Sequence, residues 1–251
     1  METILEAQHL RKQFGGLVAV ADVSLRVQKG SLHSIIGPNG AGKTTLFNLL
    51  SGLMKPTSGR VILRGQDITG APPYRMAHLG LGRSYQITNI FPNLTVLENV
   101  RLAAQAMGQD NWKLWKSADA FKQYNERARQ VIERVGLQDK INALATTLPH
   151  GDKRKLELEI LLAQDPEVLL LDEPTAGMAS EQVPQLMQLI ADVRAHGKKT
   201  IVLVEHNMDI VMNVSDFITV MHQGAVLAEG SPSEISGNEV VQKAYLGELY
   251  S

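Results

Sequence analysis

The chain has 251 residues, 44% of them hydrophobic, enough to bury a sizeable core as one large α/β domain or a domain with a subdomain. Its 25 basic and 26 acidic residues leave a formal charge of −1, so the total charge favours no polyanionic partner and no nucleic acid is expected. The absence of cysteine excludes disulfides and thiolate metal sites and is compatible with a reducing cytoplasm.

The opening "METILEAQHL" carries Glu2 and Glu6 where a secretory signal would carry basic residues and then an apolar run, so no export signal is expected. Apolar stretches such as "VLLL" at 168–171 and "TIVLV" at 200–204 fall far short of the ~20 residues a spanning helix needs. The runs "TILEAQHL", "LVAVADVSLRV" and "SLHSII" read as strands, the second with its apolar residues alternating on one face. Residues 37–42 then form a glycine-rich loop, and Leu46, Leu49, Leu50 and Leu53 follow at helical spacing. "GRVILRGQDI" predicts a strand hairpin closed near Gly65, and "LGRSYQI" a strand leading to Gln86. Between Phe91 and Gln164 two segments have helical periodicity with no strand signal between them, which marks a helical insertion. After Pro166 the β pattern returns in "EVLLLDEP", then a helix near 181–196, "KKTIVLVEH", another helix, and a hairpin turning at Gln223-Gly224. No period of 20–50 residues repeats.

"GPNGAGKTT" at 37–45 matches Gly-x-x-x-x-Gly-Lys-Thr and sits between a predicted strand and a predicted helix, the context this phosphate loop requires. The glycines Gly37, Gly40 and Gly42, with Pro38, Asn39 and Ala41, let successive N–H groups point inward at phosphate oxygens, and the helix adds the positive end of its dipole. Lys43 would reach the β- and γ-phosphates of ATP, Thr44 would ligate Mg²⁺, and Thr45 would line the same turn. "EVLLLDEP" is a strand buried on both faces that ends in two carboxylates, which are expensive there without partners or work. Asp172 is placed to hold Mg²⁺ through water and Glu173 to orient and deprotonate the attacking water. Read alone, the same pair could cap the turn at Pro174.

"TIVLVEH" ends at Glu205 and His206, at the carboxyl end of a strand, where open α/β sheets bind ligands. A hydrogen bond from His206 to the γ-phosphate fits that place, although a lone histidine after a strand is more often structural. Gln86 is similarly placed, and a solvated loop amide is the alternative. "TLPHGDKRKLELE" at 147–159 opens a helix whose free N–H groups suit either solvent or an anion.

The order of these parts resembles the nucleotide-binding subunits of ATP-binding cassette (ABC) transporters over essentially the whole chain. The resemblance implies an α/β P-loop NTPase cassette with a mixed central sheet, an N-terminal antiparallel β subdomain and a helical insertion: a core of residues 1–86 and 165–251 and a helical subdomain of 87–164. It implies that two ATPase subunits, identical or not, face head to tail, with "LPHGD" in the signature position and Gly151 meeting the γ-phosphate held by the other subunit. Pro149, His150 and Asp152 depart from the usual Leu-Ser-Gly-Gly-Gln, and the Asp152 carboxylate would sit near a polyphosphate with Lys153 and Arg154 to offset it. Ala179 stands where many relatives carry an aspartate.

The resemblance further implies that an aromatic ring stacks on adenine, for which Phe14 is the candidate with Val20 as an apolar flank, and that Gln86 joins Thr44 and Asp172 around the metal. Phe14 could equally be core. Phrases such as "FGGLVAVADVSL", "RSYQITNIFPNLTVLENV" and "VEHNMDIVM" resemble the ATPase subunits of branched-chain amino acid importers, while the "AYLGE" tail also occurs in lipopolysaccharide-export ATPases. The insertion with Trp112 and Trp115 inclines the reading to the importers. The implied setting is the cytoplasmic face of the inner membrane, with permease subunits as partners and a periplasmic or extracellular solute-binding protein reached indirectly. Ile87, Ile90 and Phe91 would form the permease dock or part of the subdomain core. A soluble ABC protein of translation or repair would need tandem cassettes or a basic face, and a P-loop kinase would need an acceptor pocket and a lid.

Overall fold

A computed structural model describes residues 2–84, 90–108, 122–197 and 199–246. Strands β1 (Thr3–Phe14) and β2 (Leu17–Gln28) form an antiparallel hairpin, extended by β4 (Ser58–Leu63) and β5 (Gln66–Asp67) into a four-stranded sheet of order β2-β1-β4-β5. The β1–β2 pairing slips at four places, and at one of them Lys12 faces Val20 but Leu10 faces Val23, so three residues of β2 oppose two of β1, a bulge. Val20 and Val23 are consequently both buried although they are three apart.

The second sheet has the order β10-β9-β3-β8-β7-β6, built from β3 (Leu32–Ile36), β6 (Leu81–Arg83), β7 (Val168–Asp172), β8 (Thr200–Val204), β9 (Phe217–His222) and β10 (Ala225–Gly230). All neighbours pair in parallel except β9 and β10, which form the antiparallel hairpin predicted at Gln223-Gly224. Both turn residues have positive φ, 47° and 80°, as a tight two-residue turn demands. The sheet is therefore mixed, as expected.

Strands β7 and β8 are buried at every position, and alternation divides their side chains between two cores. Leu169, Leu171, Ile201 and Leu203 face one way, into a core shared with α3 (Val96–Ala106), α4 (Lys122–Val135), α5 (His150–Ala163) and α6 (Val183–Gly197). Val168, Leu170, Val202 and Val204 face the other way, against α1 (Lys43–Leu50) and the four-stranded sheet. The predicted helical segment enters through a capping box: Thr95 Oγ1 accepts from Glu98 N–H while the Glu98 carboxylate accepts from Thr95 N–H. Remaining helices are α2 (Pro73–His78), α7 (Met208–Val214), α8 (Pro232–Ser236) and α9 (Glu239–Leu246). Among the described residues no helix is long and apolar enough to cross a membrane.

Candidate active site

The glycine-rich loop leaves β3 and returns as α1, and two of its glycines are required by close approach. A Cβ at Gly37 (φ 151°) would lie 2.2 Å from Met221 O, and one at Gly42 (φ 98°) 2.4 Å from Ala19 O. The loop is thus wedged between β9 and β2, and Gly42 caps α1. Lys43 is almost fully buried and its Nζ donates to Gly37 O at 2.7 Å and Pro38 O at 2.9 Å. Asn39, Gly40, Ala41, Thr44 and Thr45 line an open cavity of about 330 Å³, which Ala19 closes on one side and Glu173 and His206 on another. The two strand-end residues therefore meet the phosphate loop in space.

Glu173 extends the ladder by one bond, donating its N–H to Val204 O at 2.9 Å, and then turns with φ 48°. A non-glycine residue in that region is strained by about 1–3 kcal/mol and persists where the surroundings over-determine it. The Glu173 carboxylate accepts from His206 Nε2 at 2.7 Å, and His206 sits just before α7, which Asn207 caps by accepting from Asp209 and Ile210 N–H. His33 is the structural histidine by contrast: it is buried in β3, bonds Thr219 at 2.7 Å, and burial pushes its imidazole down to about 4.

Asp172 does not line the open cavity. It is 2% exposed, with Oδ2 accepting from Arg83 Nη2 at 2.9 Å and Oδ1 without a hydrogen-bond partner among the described residues. Burial raises its carboxyl above the ordinary value, and Arg83 opposes that rise. Arg83 Nη1 also donates to Asn48 Oδ1 at 2.7 Å and Ser51 Oγ at 2.6 Å, and its guanidinium lies 5.5 Å from the Phe47 ring centroid. The sequence reading missed this residue, yet the rule that selected Asp172 applies to it: a charge at the end of a buried strand needs partners.

The segment 147–159 is a helix start, with Pro149 as an N-cap that makes no side-chain bond. Asp152 is not offset by Lys153 or Arg154. It pairs with Lys140, while Arg154 bonds Glu157 at 2.8 Å and Ala176 O at 3.2 Å. The helix-start carboxylate is thus paired with the last residue of the short 3-10 helix Gln138–Lys140. Gly151 is buried, and a Cβ there would lie 2.5 Å from Gln182 Oε1. It does not line the phosphate-loop cavity of its own chain.

Phe14 ends β1 with 45% exposure and carries Lys12 Nζ 5.1 Å from its ring centroid, so it is surface rather than core. Val20 is fully buried and cannot flank a base there; its neighbour Ala19 lines the cavity instead, because the bulge reverses the phase of β2. Ile90 packs against the core beside the helices while Phe91 is 57% exposed, which divides the proposed dock. Gln86, Ile87, Trp112 and Trp115 lie outside the described residues.

A parallel sheet whose strand ends bring a glycine-wrapped lysine, two threonines, a carboxylate and a histidine around one cavity defines a P-loop nucleotide-binding protein. The ABC transporter family model matches residues 20–176, and a model described as branched-chain amino acid ATP-binding cassette transporter matches 225–250. The chain belongs to the ABC transporter ATP-binding family. It is 41% identical to the high-affinity branched-chain amino acid transport ATP-binding protein LivG of Salmonella typhimurium over 98% of this chain and 99% of that one. BraF of Pseudomonas aeruginosa, of the same description, is 41% identical over 98% of both chains, and the lipopolysaccharide export ATP-binding protein LptB of Acidithiobacillus ferridurans is 32% identical over 100% and 99%. Among solved structures, the ADP conformation of MJ1267, an ATP-binding cassette of an ABC transporter, superposes with TM-score 0.87 at 30% identity over 98% of this chain and all of that one. Dimeric MJ0796, a bacterial ABC transporter cassette, gives 0.78 at 25% identity over 91% and 99%.

Proposed function

We propose that this ATP-hydrolysing subunit powers a membrane permease that imports branched-chain or other hydrophobic amino acids. The observation that carries the hydrolytic part is the 2.7 Å Glu173–His206 pair on the wall of the phosphate-loop cavity. Phosphate oxygens entering the loop would exchange with the Gly37 and Pro38 carbonyls now held by Lys43. Glu173 accepts the proton of the attacking water, and the His206 Nε2–H that holds that carboxylate in the nucleotide-free chain turns to the γ-phosphate when nucleotide is bound.

The oxygen donors present suit Mg²⁺: the Thr44 hydroxyl lines the cavity and Asp172 Oδ1 is a buried carboxylate oxygen with no hydrogen-bond partner among the described residues. Thr44 and, through water, Asp172 would hold it with Gln86, and when bound it neutralises charge on the β- and γ-phosphates. Phe14, exposed at the strand end before the cavity, stacks on adenine. A second ATPase subunit supplies its Gly151 helix start to the γ-phosphate, a reading the dimeric relative supports.

Residues 87–164 act as the subdomain that receives the permease through the exposed Phe91, at the cytoplasmic face of the inner membrane, with a solute-binding protein acting indirectly. The C-terminal match and the identities to LivG and BraF favour amino acid import. The 32% identity to LptB makes lipopolysaccharide export the second reading. Reconstitution with the cognate permease in vesicles tests this: leucine, isoleucine or valine with the binding protein should stimulate release of free phosphate from ATP. Stimulation by lipopolysaccharide alone would move the protein to the export branch, and phosphate transfer only to an added acceptor would make it a kinase.

A further inference from the structure

Glu205 is 4% exposed and does not line the nucleotide cavity, yet its carboxylate joins the two loops that do. Oε1 accepts from Thr175 N–H at 3.1 Å and from Thr175 Oγ1 at 2.7 Å, and Oε2 accepts from His206 N–H at 3.2 Å. Burying a carboxylate is costly unless donors replace its water, and here all three donors come from the loops after β7 and β8. The main-chain ladder between those strands ends at Glu173 N–H to Val204 O. Beyond it, among the described residues, no main-chain hydrogen bond joins 174–182 to 205–207. The chain meanwhile turns through the left-handed conformation of Glu173, which the surroundings must hold.

We propose that Glu205 is a positioning residue for ATP hydrolysis: by clamping Thr175 and the main chain of His206 it sets the two loops so that Glu173 and His206 meet. The proposal rests on the reading of Glu173 and His206 given above. A carboxylate is specified because both oxygens accept; a glutamine would turn its NH₂ either toward His206 N–H or toward the Thr175 donors, donor against donor.

The test is a series in the full chain: Glu205→Gln, Thr175→Val, Thr175→Ser, the double variant Thr175→Val with Glu205→Gln, and Glu173→Gln. Steady-state kcat and KM for MgATP, ATP affinity, thermal midpoint and the His206 ring signals by NMR in the nucleotide-free protein are measured for each. Glu205→Gln and Thr175→Val should each lower kcat about tenfold with KM and ATP affinity within about twofold. The double variant should be no slower than Glu205→Gln alone, Thr175→Ser should recover most of the loss, and both single variants should shift the His206 ring signals. Undiminished kcat in Glu205→Gln and Thr175→Val, losses that multiply in the double variant, or unmoved ring signals would overturn the proposal. Because Thr175→Val conserves shape, it decides the matter even if Glu205→Gln does not fold. Loss in Glu173→Gln beside full turnover in the clamp variants sinks the clamp alone, whereas full turnover in Glu173→Gln sinks the underlying reading and the clamp with it.

Discussion

The phosphate-loop end and the signature-helix end of the molecule start from the same device, a helix N-terminus, and finish differently. At α1 the loop is wedged by backbone against β9 and β2, and Lys43, Glu173 and His206 converge on one cavity from three strand ends. At α5 the N-cap is Pro149 without a side-chain bond, Gly151 lies under Gln182, and Asp152 is drawn away to Lys140. One end is a finished cavity; the other does not line that cavity. The difference teaches that a helix start alone does not make a site: at α5 the one carboxylate of the first turn is settled by Lys140 of its own chain, whereas at α1 side chains from other strand ends are brought to the loop.

The largest effect should fall at the finished end. Glu173→Gln removes the proton acceptor but keeps the hydrogen-bonding shape, and kcat should drop about a thousandfold while ATP binding survives and a nucleotide-dependent dimer accumulates. Rapid-quench phosphate release with sedimentation in ATP measures both, and wild-type turnover would remove Glu173 from the chemistry. At the other end, Gly151→Val must displace the Gln182 side chain and crowd the helix start, with an expected loss of about a hundredfold in turnover and unchanged ATP affinity. Normal hydrolysis in that variant would separate the signature helix from the reaction.

The body of α5 offers a stability prediction. Glu159 is fully buried with neither carboxylate oxygen bonded among the described residues, and burial pushes its carboxyl up to about 9, with nearby Lys155 pulling the other way. The folded chain therefore keeps a proton that the unfolded chain, titrating near 4.5, releases. This contribution is present in full below the unfolded value and is lost as pH rises toward the folded one, by about 1 kcal/mol per pH unit. Denaturant unfolding at several pH values between these limits should show that slope in the wild type and a flatter one in Glu159→Gln; equal slopes would mean Glu159 ionises in the fold. The smallest effect belongs to Asp152→Ala, which breaks a part-exposed pair with Lys140 and should cost about 1 kcal/mol or less in the same assay.

What was legible in the sequence follows from range. The phosphate loop, the buried β7 leading into Asp172 and Glu173, the hairpin at Gln223-Gly224 and the helical periodicity after Phe91 are local patterns, each fixed by residues within a few positions. Pairings made by the tertiary fold were not: Arg83 meets Asp172 from 89 positions away, and Glu205 meets Thr175 from 30. Val20, an apolar flank by the resemblance, is buried by a slipped pairing of β2 that no local pattern announces, and Asp152 pairs with Lys140 rather than with the two cations adjacent in sequence. Phe14 and Phe91 carry no periodic signal that separates surface from core, and only the fold exposes them.

The central claim is that the loop around Lys43 grips the phosphates of ATP. Titration of Lys43→Ala with ATP by calorimetry tests it most directly: affinity should fall at least about a hundredfold in a protein of unchanged fold. Binding as tight as wild type would contradict the account.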